Sequence, residues 1–229
     1  MTLQEAIKAR HSVRAYQEQP LTDADARALE EKIAEMNRKG QLHIQLIRNE
    51  PKAFLGPFAR YGKFSGVTDY LVMAGIKADD LDERIGYYGE QLVLFAQTLG
   101  MNTCWVGLSY TKIPGTYVLN DGEVIQAYIS IGYGETQGVT HKIKRIDQVS
   151  NIKGNSPEWF RRGVEAALLA PTAINQQKFS FELLPAEDGQ LPRVLAKRHF
   201  SLVGYTQMDL GIAKYHFELG AGTENFQWA

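Results

Sequence analysis

Arg10, Ser12 and Arg14 recur at every second position of "RHSVRAY", residues 10–16. In an extended chain, side chains at that spacing fall on one side. Guanidinium groups grip phosphate oxygens two at a time, and a hydroxyl adds a further donor. The short helix expected before them ends here, and a helix C-terminus carries partial negative charge. An anion bound at this place must therefore be held by side chains. The stretch reads either as such a grip or as a solvated, salt-bridged strand edge. "HKIKR" repeats the alternation at Lys142 and Lys144, beside Arg145. It reads either as a second clamp on the same anion or as a solvated basic loop.

Other segments could meet a ligand with mixed edges. "APTAINQQ", residues 170–177, crowds Thr172, Asn175, Gln176 and Gln177 behind Pro171. Amides both donate and accept, which suits a flavin ring or ribityl chain. The same residues also cap turns. In "TCWVG", Val106 and Gly107 offer backbone N–H groups where a planar ring could approach, because glycine has no side chain. Cys104 reads as a small buried hydrophobe, and Trp105 as core or pocket wall. Lys63 sits at a loop–strand junction, able to set one positive charge against a ligand. The five histidines (11, 43, 141, 199, 216) and the single cysteine show no metal-ligand spacing. There is no GxSxG elbow and no P-loop, and "GYG" after a strand is not GxGxxG. No carboxylate pair stands out. An enzyme so poor in reactive side chains borrows its chemistry from a cofactor.

The elements that position these residues follow from patterning. Thr2 and Glu5 form a capping box for a first helix ending near Arg10. "SVRAY" is extended. Thr22 caps a second helix that closes near Gly40. "QLHIQLI" and the more continuously apolar "VTDYLVMAGI" are strands, the latter central. "FLGPFARYGKFSG" is a loop. "DDLDERIGYYGEQLVLFAQTLG" is a long helix, "MNTCWVGLS" turns away from it, and "EVIQAYISIGYG" is a third strand. After a polar connector, Ser156 caps a helix ending before Pro171. "KFSFELL" is a strand, and "TQMDLGIAKYHFELG" is the final helix. The chain has 229 residues, 44% hydrophobic and 22% charged, with net charge −1. No global field attracts nucleic acid or an acidic membrane. The N-terminus lacks an apolar h-region and no run could span a bilayer, so a cytoplasmic protein is expected.

The chain reads as two unequal halves, 1–150 and 151–229. Helix, turn and strand recur in the same order, with Leu46 matching Leu183. Two helices both end Leu-Gly-x-x-Thr, at Gly100 and Gly220. "RHSVR" occurs only in the first half and "APTAINQQ" only in the second, so the polar equipment is divided between two pseudo-repeats.

Together these segments resemble the nitroreductase family of FMN-dependent flavoproteins. "ARHSVRAY" is similar to its N-terminal phosphate motif, and "APTAINQQ" to its "APSxxNxQ" turn. "TCWVG" with "ISIGYG" is similar to its flavin-edge loop and strand, and "HKIKR" to its C-terminal basic pair. In that family the turn ordinarily follows the arginine motif closely, and two chains share each flavin. Here the motifs are far apart, so the chain resembles a single-chain, fused pseudo-dimer. The resemblance implies an α+β fold with central, mostly antiparallel sheets flanked by helices, and one FMN between the halves. It implies that Arg10, His11, Ser12 and Arg14 hold the phosphate and ribityl end, assisted by Lys142 and Lys144. Pro171, Thr172, Ala173, Asn175 and Gln177 line the ring. Val106 offers its N–H near flavin N5, flanked by Trp105 and Gly107, and Lys63 sits at the pyrimidine end. FMN would carry the chemistry, with no catalytic side chain. Hydride would pass from NADH or NADPH to a nitroaromatic, a quinone or another small electron-poor acceptor. A flavin store or sensor, or oxygen-dependent flavin chemistry, is the alternative. Oligomeric state stays open between monomer and homodimer.

Overall fold

A computed structural model describes residues 1–185 and 189–229. Helix α1 (Leu3–Ala9) begins with the expected capping box. Thr2 Oγ1 accepts from the Glu5 N–H at 3.2 Å, and the Thr2 N–H donates to Glu5 Oε2 at 2.8 Å. The chain leaves α1 extended at Arg10. Helix α2 (Asp23–Gly40) is capped by Thr22 and stopped by Gln41 in the left-handed region. Its apolar stripe, Ala26, Leu29, Ile33 and Met36, has the spacing of one helix face.

Strands β1 (Gln45–Ile47), β2 (Asp69–Ile76), β3 (Asn102–Val106) and β4 (Glu123–Gly132) form an antiparallel sheet in the order β1-β2-β4-β3. The continuously apolar β2 is central, as its composition implies. "QLHIQLI" pairs over only three residues, because Gln41 still belongs to the helix exit. The segment "MNTCWVGLS" does not turn away. Gly100 reverses the chain with φ 83°, and residues 102–106 return as edge strand β3, registered Asn102↔Gly132 through Val106↔Tyr128. Within the expected loop at 54–66 lies a short helix, α3 (Pro57–Tyr61).

The second sheet, β5-β6-β7, draws all its strands from beyond residue 150. Strand β5 (Phe179–Leu183) was legible. Strands β6 (Arg193–Arg198) and β7 (Gln227–Trp228) were not, since one is basic and the other spans two residues. Helix α5 (Glu158–Leu168) starts after Pro157. Ser156 does not cap it; its Oγ accepts from the Lys153 N–H at 2.9 Å in the preceding turn.

Between the sheets lie α4 (Leu81–Thr98) and α6 (Thr206–Ala221), which pack on each other and, with α5, fill a core shared by both halves. Their crossing is reciprocal. A Cβ on Gly86 would strike the Met208 carbonyl oxygen, and one on Gly211 would strike the Glu83 carbonyl oxygen. Each glycine thus faces the residue three before the other, the exchange a two-fold axis produces. The register pairs Gly86 with Gly211, an offset of 211 − 86 = 125, whereas the Leu-Gly-x-x-Thr ends suggest 220 − 100 = 120. Those similar ends are therefore not the counterparts at this crossing. Among the described residues no helix is long and apolar enough to cross a membrane.

The crossing predicts a graded pair of substitutions. Gly211→Ala should destabilise the fold by about 1–3 kcal/mol through overpacking against backbone. Gly154→Ala, with nothing within 4 Å of the new methyl, should be neutral or slightly stabilising. Urea unfolding midpoints compare the two.

Candidate functional site

A cavity of about 1110 Å³ opens beside the edge strand β3. Ser12 and Arg14 line one wall, Lys63 and its neighbours from α3 onward another, and Trp105–Tyr110 a third. Pro171–Ile174, Val203, Tyr205 and the first turns of α6 complete it.

The Arg10–Tyr16 segment is held extended by its buried members. The Val13 N–H donates to the Thr103 carbonyl at 3.1 Å, and the Tyr16 N–H to that of Ser65 at 3.0 Å. The Tyr16 hydroxyl reaches the Val13 carbonyl at 2.8 Å and Ser130 Oγ at 2.9 Å. Val13, buried on the opposite side of the alternating chain, leaves Ser12 and Arg14 on the cavity. The Arg14 guanidinium lies 5.9 Å above the Phe64 ring, in the range of a cation–π contact.

Arg10 does not join them. It is 3% exposed, and its Nε, 3.9 Å from Glu90 Oε1, has no hydrogen-bond partner. Burial pulls its pKa down, opposed by Glu90. Glu90, wholly buried on α4, accepts from Trp105 Nε1 at 2.8 Å and meets His216 Nε2 at 2.9 Å. His216 Nδ1 lies 3.2 Å from the Ala166 carbonyl of α5. Trp105 is thus both cavity wall and part of this network. His11 is half-buried behind the cavity, its pKa lowered by burial and then by Arg10 and His141.

The 171–177 turn is strained. Ile174, Asn175 and Gln177 have φ of 47°, 58° and 46°. Pro171, Thr172 and Ala173 reach the cavity; the amides of Asn175 and Gln177 are used elsewhere. Asn175 Nδ2 and Gln177 Nε2 each donate to the Lys142 carbonyl at 2.8 Å, and Gln177 Oε1 accepts from the Lys144 N–H at 2.9 Å. Lys144 Nζ donates to the carbonyls of Gln177 at 2.5 Å and Gln176 at 3.1 Å. "HKIKR" therefore braces the turn, with the Lys144 ammonium spent on it and the Lys142 side chain exposed.

Gly107 admits a ring, but one of the protein's own: a Cβ there would strike the Tyr205 phenol. Lys63 is exposed on the cavity, at φ 60°. Val106 is buried in β3 at the cavity wall. The polar groups that sequence reasoning passed over are Glu90, His216 and Asp209. Asp209 sits in the first turn of α6, where an acid is ordinary and draws no notice. Burial pushes its pKa up to about 6, against hydrogen bonds from Ala173 and Gln176. Cys104 is buried with its thiol pKa raised, which leaves it a poor nucleophile. The arrangement suits a flat body between β3 and α6, with an anionic end at Ser12 and Arg14.

A family model described as "Putative TM nitroreductase" matches residues 2–221. Among solved structures, the chain is similar to a "putative nitroreductase" from Thermotoga maritima. The two share a TM-score of 0.64 and 23% identity over 96% of this chain and 83% of that one. A "putative nitroreductase" from Exiguobacterium sibiricum, crystallised in complex with FMN, matches with TM-score 0.53 and 18% identity, covering 67% of this chain and 98% of that one. One from Desulfovibrio desulfuricans, also in complex with FMN, gives 0.52 and 18% over 69% and 99%. At these identities the structural likeness speaks for the fold. No curated protein matches the sequence.

The buried network yields a stability prediction. Glu90→Ala leaves the Trp105 N–H without its acceptor, and Arg10 and His216 without the buried carboxyl group they meet. It should cost about 3–5 kcal/mol, the scale for breaking a buried charged cluster from one side. Chemical denaturation of variant and wild type measures it.

Proposed function

The chain belongs to the nitroreductase family, and from that premise we propose that it is an FMN-dependent oxidoreductase using NADH or NADPH. The observation that carries the reading is the meeting, in one cavity, of Ser12 and Arg14 from the first half with Pro171–Ala173 from the second. At about 1110 Å³ the cavity is large enough for a cofactor-sized molecule, small-molecule sites spanning roughly 300–1,000 Å³. The chemistry that FMN supplies when bound is two-electron transfer between a nicotinamide and an electron-poor acceptor such as a nitroaromatic or quinone.

The chain's own residues bind and orient. Arg14 and Ser12 would hold the phosphate end by charge-assisted hydrogen bonds. Arg10, buried beside Glu90, would add positive charge near this end without lining the cavity. Lys63 would offset negative charge gained by the ring. Val106, Trp105 and Gly107 on one side, and Pro171, Thr172 and Ala173 on the other, would enclose it. Asn175, Gln177, Lys142 and Lys144 would act by shaping the turn. In this reading residues 1–150 and 151–229 act as a fused pair with one FMN per chain, an idea supported by the reciprocal Gly86–Gly211 crossing.

The purified protein should be yellow, or become so with FMN, at one flavin per chain. Arg14→Ala should weaken FMN binding about 10- to 100-fold, for a contact of about 1.5–3 kcal/mol. Fluorescence titration reads the affinity. Under anaerobic conditions NADH or NADPH should bleach the bound flavin. A bound flavin that neither donor reduces would mark a store instead, and a colourless chain that binds no FMN would sink the reading.

A further inference from the structure

Asp209 is the one carboxyl group among the described residues that line the cavity. It is 3% exposed, and each oxygen accepts one hydrogen bond from the turn opposite. Oδ1 takes the Ala173 N–H at 2.9 Å, and Oδ2 takes Gln176 Nε2 at 2.7 Å. Gln176 Nε2 also donates to the Gly204 carbonyl at 3.0 Å, while Gln176 Oε1 is buried with no partner. One carboxyl group therefore joins α6 to the 172–176 turn and, through Gln176, to the loop before Tyr205. Among the described residues no salt bridge reaches it: Arg14 and Lys63 face the cavity from other walls, and Lys144 is spent on the carbonyls behind the turn.

We propose that Asp209 is a positioning residue that also sets the reduction potential of the bound flavin, its buried negative charge in the cavity wall opposing the gain of electrons. This rests on the flavin reading above. A buried charge acts through a poorly polarisable medium, whereas the exposed Arg14 and Lys63 are screened by water. Asp209 by itself then makes the reduced flavin a readier donor, against the opposite pull of Arg14 and Lys63. The reverse holds by linkage: electrons added to the ring raise the proton affinity of Asp209.

Asp209→Asn separates charge from position. The Asn carbonyl keeps the Ala173 N–H. Gln176 Nε2 keeps its bond to the Gly204 carbonyl and loses its acceptor at position 209, a change for which the comparison at pH 5, where the wild-type carboxyl is also neutral, is the control. The ionisable groups on the elements packed around Asp209 include Tyr205 one turn earlier and Lys214 further along α6, Asp82 and Glu83 on α4, and Lys144 and Lys178 beside the turn. All are unchanged in the variant. Asp209 is charged above about pH 6 and neutral below it.

The test is an anaerobic redox titration of the FMN-loaded protein against reference dyes, from pH 5 to 8. The variant's midpoint potential should lie above that of wild type at pH 8, and the two should converge at pH 5. Equal potentials at pH 8, or an offset that persists at pH 5, would overturn the proposal and leave the flavin reading intact. A wild type that binds no FMN would remove both. Should the variant not fold, infrared difference spectra of the wild type at pH 7 decide the matter. Flavin reduction should bring up a protonated-carboxyl band, and its absence overturns the proposal.

Discussion

The wholly buried Glu90 is the interaction on which the rest of this structure depends. A carboxyl group taken out of water is costly unless its oxygens are occupied. Here Trp105, His216 and Arg10 gather round it from β3, from α6 and from the end of α1. His216 extends the set to α5 through the Ala166 carbonyl. One group thus ties strand β3 and the chain just after α1 to α4, α6 and, through His216, α5. Trp105 is held from behind by Glu90 and faces the cavity in front. Arg10 is buried beside the same carboxyl group at 3.9 Å without a hydrogen bond to it, whereas Arg14 stands exposed on the cavity.

The cavity's second wall is held by different means. Three non-glycine residues of the 171–177 turn occupy the left-handed region, at a cost on the order of 1–3 kcal/mol each. Such a turn persists only where its surroundings over-determine it. Thr172 Oγ1 accepts from the Gln177 N–H at 3.1 Å, Lys144 closes two carbonyls, and Asp209 closes the far side. Strain stored in this way presets the shape of the wall before any ligand arrives.

Much of this was legible in the sequence. The caps of α1 and α2, the central place of β2, and the long α4 and α6 all follow from local pattern. So does the alternation that puts Ser12 and Arg14 together. Arg10 defeats the same rule because its partner is 80 positions away, 90 − 10, and pairing at that range leaves no local trace. Strand β3 escaped because a reversal at Gly100 looks like a turn away until β4 is there to receive it. The short, polar β6 and β7 carry no periodicity to read. The sequence crowds amides into "APTAINQQ", but residue type alone does not divide ligand contacts from braces.

The floor and the rim of the cavity differ in what holds them. Tyr110 stacks on Tyr128 at 3.8 Å, and Tyr128 on Tyr70 at 5.0 Å, a column planted in the first sheet. Burial raises the Tyr110 hydroxyl to about 12, so this part of the wall is neutral at any ordinary pH. The rim is the opposite: Phe58, Tyr61, Leu108 and Ile174 stand exposed on α3 and on loops, with little packed against them. Apolar groups left in water gain by being covered, and a flat, uncharged molecule entering the cavity would cover them. A rigid floor offers every such molecule the same platform. Under the flavin reading, discrimination between acceptors therefore falls to the rim, where Phe58, Tyr61 and Leu108 can change without disturbing Glu90 or the turn.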